Sequence, residues 1–92
     1  MNSKTVLITG GATGIGLATA QWFAARSARL AIAYLEEAHA ERAKHALTGA
    51  EVLWLRADLR SASDIADMVN RAAETFSSID VLVNCASRTG VS

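Results

Sequence analysis

The stretch from Thr5 to Gly16, TVLITGGATGIG, constrains this chain more than any other. Strand-favouring residues from Thr5 to Ile8 run into Thr9 and then into three spaced glycines, Gly10, Gly14 and Gly16. An apolar helical pattern begins directly afterwards. Strand, glycine turn and helix in that order can hold a phosphate, because the turn bares backbone N–H groups and the helix N-terminus adds roughly half a positive charge. The spacing departs from the general fingerprint, which places glycines at relative positions of about 1, 3 and 6. Here they stand at 1, 5 and 7. On the glycines alone, an ordinary tight loop remains open beside a phosphate cradle.

The rest of the chain gives that loop a setting. Thr5 to Thr9 is nearly continuous in apolar character, as expected of a strand buried on both faces. From Ile15 to about Arg26 an Ala-rich run with Leu17, Trp22 and Phe23 reads as a helix that is apolar over most of its circumference. Leu30 to Tyr34 reads as a second buried strand. Glu36 to Thr48 follows as a solvent-facing helix, with Gly49 placed for a left-handed C-terminal cap. Glu51 to Ala57 is a third strand, closed by Asp58. Ser61 suits a helix N-cap, and Ile65, Met68, Val69, Ala72 and Phe76 then recur at helical spacing. Ile79 to Val83 makes a fourth strand leading into Asn84, Cys85, Ala86 and Ser87.

Strands alternating with helices of this length predict a parallel α/β sheet, doubly wound, with right-handed crossovers. Ligands of such sheets lie in a crevice beyond the carboxyl ends of the strands. Thr9 to Thr13, Tyr34 to Glu36, Asp58 to Leu59 and Asn84 to Ser87 all follow strand C-termini. A glycine loop on that rim is better suited to a phosphate than to a filler turn.

Composition excludes several alternatives. The chain has 92 residues, enough for one domain, and a formal net charge of zero. That balance carries no electrostatic footprint for nucleic acid. No apolar run approaches the roughly 20 residues that span a bilayer, and the N-terminus lacks a signal-peptide pattern. Cys85 is the only cysteine, so an internal disulfide and a cysteine metal cluster are both excluded. A cytoplasmic setting is the expectation. His39 and His45 fall on the polar second helix at a spacing that does not pair them for a metal. Trp22 and Trp54 are expected in the core.

Three segments together resemble the short-chain dehydrogenase/reductase family. Thr9 to Gly16 (TGGATGIG) is similar to its TGxxxGxG loop. Asp58-Leu59 resembles its adenine-contacting segment after the third strand. Asp80 to Ser87 (DVLVNCAS) resembles its D-x-L-V-N-N-A-G segment. The likeness covers the whole chain in the correct order, but only the first third or so of a typical member. It implies a Rossmann-type sheet ordered 3-2-1-4 and truncated after the fourth strand, the N-terminal portion (residues 1–92) of an NAD(P)-binding domain.

On this resemblance, Gly10 and Gly14 would let the backbone approach a pyrophosphate, and Gly16 would let the helix pack closely on the first strand. Thr13 and Ile15 would offer N–H groups. Asp58 would accept from the adenine amino group and the Leu59 N–H would donate to the ring, although Asp58 also suits a strand-end cap. Asn84 would tie the fourth strand to its neighbours, and Ala86 would line a ribose. The position where NAD-preferring relatives carry an acid aligns with Tyr34, which leans toward NADP. The lack of a Lys or Arg at Thr13 or Leu35 weakens that lean.

Departures from the family pattern are informative. Family glycines are replaced by Ser27, Ser77 and Ser87, each costing on the order of 1 kcal/mol where the backbone must be left-handed. Cys85 stands for the second Asn and is expected to be a packing thiol. The family's catalytic Ser, Tyr and Lys are not assignable, since the only tyrosine is Tyr34 and Ala38 lies four residues on. The resemblance therefore implies an NAD(P)-dependent oxidoreductase, acting on alcohols or carbonyls, represented by its cofactor-binding part and not active alone. A non-catalytic NAD(P)-binding module is the alternative. Full-length relatives are homo-oligomeric, through helices that this chain does not contain. An exposed fourth strand is expected to make the isolated chain prone to association.

Overall fold

Every residue from Thr5 to Thr9 is buried in the structure, a computed structural model that describes residues 4–10, 12 and 14–85. A strand covered on both faces has no reason to alternate polar with apolar residues, which explains the run in the sequence. The element order is β1 (Thr5–Thr9), α1 (Gly14–Ala24), β2 (Arg29–Tyr34), α2 (Glu37–Ala46), β3 (Val52–Arg56), α3 (Ala62–Phe76) and β4 (Val81–Asn84). All strand pairs are parallel and the sheet order is β3-β2-β1-β4, as the alternation and the resemblance imply.

Side-chain alternation along the strands splits the core into two layers. Val6, Ile8, Leu30 and Ile32 face Ala20 of α1 and Leu47 after α2, with Leu17 and Phe23 packed alongside. Leu7, Ala31, Ala33 and Leu55 face Met68, Ala72 and Phe76 of α3. Each fully buried Leu or Ile here contributes about 1.5–3 kcal/mol relative to exposure. α1 meets the sheet through Gly16 and Ala20, small residues that allow a close approach.

Among the described residues two non-glycines have positive φ, Ser27 at 63° and Ser77 at 72°. Both are positions where the family pattern has glycine, so the expected left-handed turns are present. Ser87 lies outside the described residues.

Several expectations change. α2 begins at Glu37, because Glu36 is extended at the cap position with φ −95° and ψ 122°. The helix ends at Ala46, and Leu47 is its C-cap. Leu47 turns its side chain into the core, so Gly49 (φ 90°) closes the following turn rather than the helix itself. β4 starts at Val81 and runs on through Asn84, two residues later than Ile79. Trp22 is 52% exposed and does not enter the core. Small residues make the buried face of α1, which leaves the indole outside under the Arg26 guanidinium, 3.5 Å from its ring centroid. Trp54 is partly buried and packs against the α1–α2 layer. Of the α3 stripe, Met68, Ala72 and Phe76 are buried, whereas Ile65 and Val69 are exposed at its margin.

Candidate functional site

The four strands end on one rim. Thr9 is opposite Ala33 and Asn84 in the ladder, and Tyr34 is opposite Arg56. Backbone bonds carry this alignment one residue further. Gly10 N–H donates to Ala33 O at 3.1 Å, Ala57 N–H to Tyr34 O at 2.9 Å and Cys85 N–H to Thr9 O at 3.0 Å. Asp58, Gly10 and Asn84 are thereby set along the carboxyl edge of the sheet, with the end of β2 between Asp58 and Gly10.

Above β1 the chain makes the glycine turn. Gly10 has φ 71° and Gly14 has φ 55°, values that disfavour any L side chain. Among the described residues a Cβ at Gly14 would meet no atom within 4 Å, so it is the positive φ rather than crowding that favours glycine there. α1 opens there with no acidic residue in its first turn, and Ile15 is largely exposed. The first N–H groups of a helix have no intrahelical partner, and here no carboxylate of that turn competes for them. This arrangement fits a pyrophosphate. Gly16 is buried near the start of the helix. Thr13 and Ala86 lie outside the described residues.

Asn84 is linked to β1 through its side chain. Thr9 Oγ1 donates to Asn84 Oδ1 at 2.8 Å, joining the ends of β1 and the edge strand β4. At the other end of the same pair, Thr5 N–H donates to Asp80 Oδ2 at 2.8 Å. Cys85 is half-buried and packs against the α1–α2 layer.

Tyr34 closes β2. Its hydroxyl donates to Glu37 Oε2 at 3.1 Å, and its ring meets Trp54 edge-on at 6.4 Å. Desolvation raises the hydroxyl pKa, and the bond to Glu37 and its charge add to the rise; Lys44 and Arg56 oppose it. The acid at this corner is therefore Glu37, in the first turn of α2. Glu37 was not singled out from the sequence, where the available signal was the i, i+3 spacing of Tyr34 and Glu37.

Asp58 is gripped by Arg60. Arg60 N–H and Nε donate to Asp58 Oδ1 at 2.9 and 3.0 Å, and Nη2 donates to Oδ2 at 2.9 Å. These bonds, the side-chain one foremost, lower the Asp58 pKa to about 2, with a smaller contribution from the charge of Arg56. The Asp58 N–H in turn donates to Asp64 Oδ2 at 2.9 Å, and Asp64 N–H donates to Ser61 Oγ at 3.2 Å. The end of β3 and the start of α3 are thus one hydrogen-bonded unit. Leu59 is partly buried against the α3 layer. Arg60 and Asp64 were not singled out from the sequence, since a turn's direction decides whether residues two or six apart meet.

The sequence has clear relatives. Residues 4–92 match the family described as short chain dehydrogenase. An uncharacterized oxidoreductase of Mycobacterium bovis is 39% identical over 90 residues, covering 97% of this chain and 36% of the relative. The short-chain dehydrogenase/reductase homolog YusS of Bacillus subtilis is 36% identical, covering 95% of this chain and 83% of that protein. Among solved structures, a short chain dehydrogenase from Bacillus anthracis superimposes with a TM-score of 0.87 at 34% identity, covering 94% of this chain and 35% of its own. The chain thus spans about a third of the length of the M. bovis oxidoreductase and the B. anthracis dehydrogenase.

Proposed function

The chain belongs to the short-chain dehydrogenase/reductase family, and on that premise we propose that residues 1–92 are the N-terminal, NAD(P)-binding portion of an oxidoreductase that interconverts alcohols and carbonyls. The observation that carries this reading is the turn at the end of β1, with Gly10 and Gly14 at positive φ before a helix free of acid in its first turn. In the proposal, Gly10, Thr13, Gly14 and Ile15 hold the pyrophosphate, and Gly16 allows α1 its close seat. Asp58 and Leu59 take the adenine. Tyr34 lies by the adenosine ribose, Asn84 braces β4 against Thr9, and Ala86 lines the second ribose. Bound in this way, the cofactor would supply or accept the hydride.

NADP is favoured over NAD because β2 ends in Tyr34 rather than in an acid. A cytoplasmic setting and homo-oligomers of the full-length protein go with this reading. Calorimetric titration with NADP and NAD tests it. Saturable binding of NADP, tighter than that of NAD and without turnover by the 92-residue chain, is expected. Binding of neither dinucleotide overturns the reading. Tyr34→Asp should move the preference toward NAD.

The alternative reading is a binding module without catalysis. The gene beyond codon 92 separates the two. A Ser followed by Tyr-x-x-x-Lys in frame supports the enzyme, and its absence supports the module.

A further inference from the structure

Arg56 is the last residue of β3, directly opposite Tyr34 in the parallel ladder. Side chains alternate along a strand, so Arg56 shares the sheet face of Trp54, which meets the Tyr34 ring edge-on. The other cations of this corner are engaged. Arg60 is paired with Asp58 at 2.9 Å and Lys44 with Glu41 at 3.2 Å. Arg56 is exposed, and among the described residues no hydrogen bond or ion pair holds its guanidinium. Its backbone stands beside Tyr34 in the ladder and two residues before Asp58, and its positive charge makes the smallest contribution to the pKa of each.

The strand order turns this placement into a specificity argument. A dinucleotide with its pyrophosphate above β1 and its adenine beside the turn after β3 must carry its adenosine ribose across the end of β2, which lies between them. An unengaged guanidinium beside that path presents a planar fork of donors suited to a phosphate. Glu37, the carboxylate that accepts from Tyr34, opposes a second anion there by charge. We propose that Arg56 receives the 2′-phosphate of NADP and that Glu37 limits its grip, so that these two residues set the choice between NADP and NAD. This assignment rests on the dinucleotide reading above.

The test is calorimetric titration of the full chain and of Arg56→Gln and Glu37→Gln with NADP and with NAD, folding being checked by circular dichroism. Arg56 is exposed, so its replacement leaves the core intact. Arg56→Gln should weaken NADP binding about tenfold or more while NAD binding stays within about twofold, as expected for the loss of a charged hydrogen bond made by the phosphate alone. Glu37→Gln should tighten NADP selectively. Unchanged NADP affinity in Arg56→Gln, or an equal loss for both cofactors, overturns the assignment. Binding of NAD but not NADP by the unaltered chain overturns it too, and leaves the dinucleotide reading standing. Binding of neither defeats that reading and this one together.

Discussion

Ser27 and Ser77 occupy left-handed backbone at φ 63° and 72° that an L side chain enters at a cost. Ser77 N–H still closes α3 on Ala73 O at 2.7 Å, so the turn itself is sound and the strain is local. Ser27→Gly and Ser77→Gly should each stabilise the chain by about 0.5–1 kcal/mol, after the added freedom of glycine in the unfolded state is subtracted. Denaturant midpoints measure this, and a loss of stability in both would refute the strain argument. Asp58 supplies a second residue-level prediction. Its folded pKa of about 2 lies below the ordinary 3.8, so its contribution to stability is present above pH 3.8 and disappears as pH falls through 2. Arg60→Gln should return the Asp58 carboxyl midpoint toward 3.8, as read by carbon-13 NMR titration. Asp58 and Tyr34 were legible as rim residues because one follows the end of a strand and the other closes one. The partners Arg60 and Glu37 were not, because their contacts depend on which way two short turns bend.

At the scale of elements, α3 shows why some helices can be read and others cannot. Its apolar residues recur on one side, and Ser61 announces its start. The structure keeps both features, with Ser61 Oγ accepting from Asp64 N–H and with Met68, Ala72 and Phe76 buried. Asp64 also accepts from Asp58 N–H, so the cap fixes the turn that carries the candidate adenine contact. Ser61→Ala should cost about 1 kcal/mol in denaturant unfolding, in the usual range for a lost N-cap. It should also weaken nucleotide binding if the Asp58–Leu59 turn loosens with it. α1 is the contrasting case. It is apolar nearly all round, so periodicity does not say which side faces the sheet, and the expectation of Trp22 in the core had no periodic signal behind it. The sheet in fact selects Gly16 and Ala20. The late start of β4 has a similar origin, since Asp80 uses its carboxylate to hold Thr5 N–H before the strand proper begins.

For the whole molecule, the order β3-β2-β1-β4 follows from right-handed crossovers, first in one direction from β1 and then back past it. That reversal puts α1 and α2 on one face and α3 on the other, and among the described residues it leaves β4 paired to β1 alone. The register sets Leu82 beside Leu7 on the α3 face, yet Leu82 is 65% exposed because α3 lies over the other strands. Ile65 and Val69, at 38% and 39% exposure, extend apolar surface along α3. An open strand edge with an apolar side chain beside it is a template for pairing with another chain. The 92-residue polypeptide should therefore self-associate with rising concentration in sedimentation velocity. Leu82→Lys places a charge on that edge without touching the buried layers, and should raise the monomer fraction while leaving the helical circular dichroism unchanged. A monodisperse monomer before the substitution, or association that Leu82→Lys fails to reduce, would mean that the open edge of β4 is not what draws the chains together.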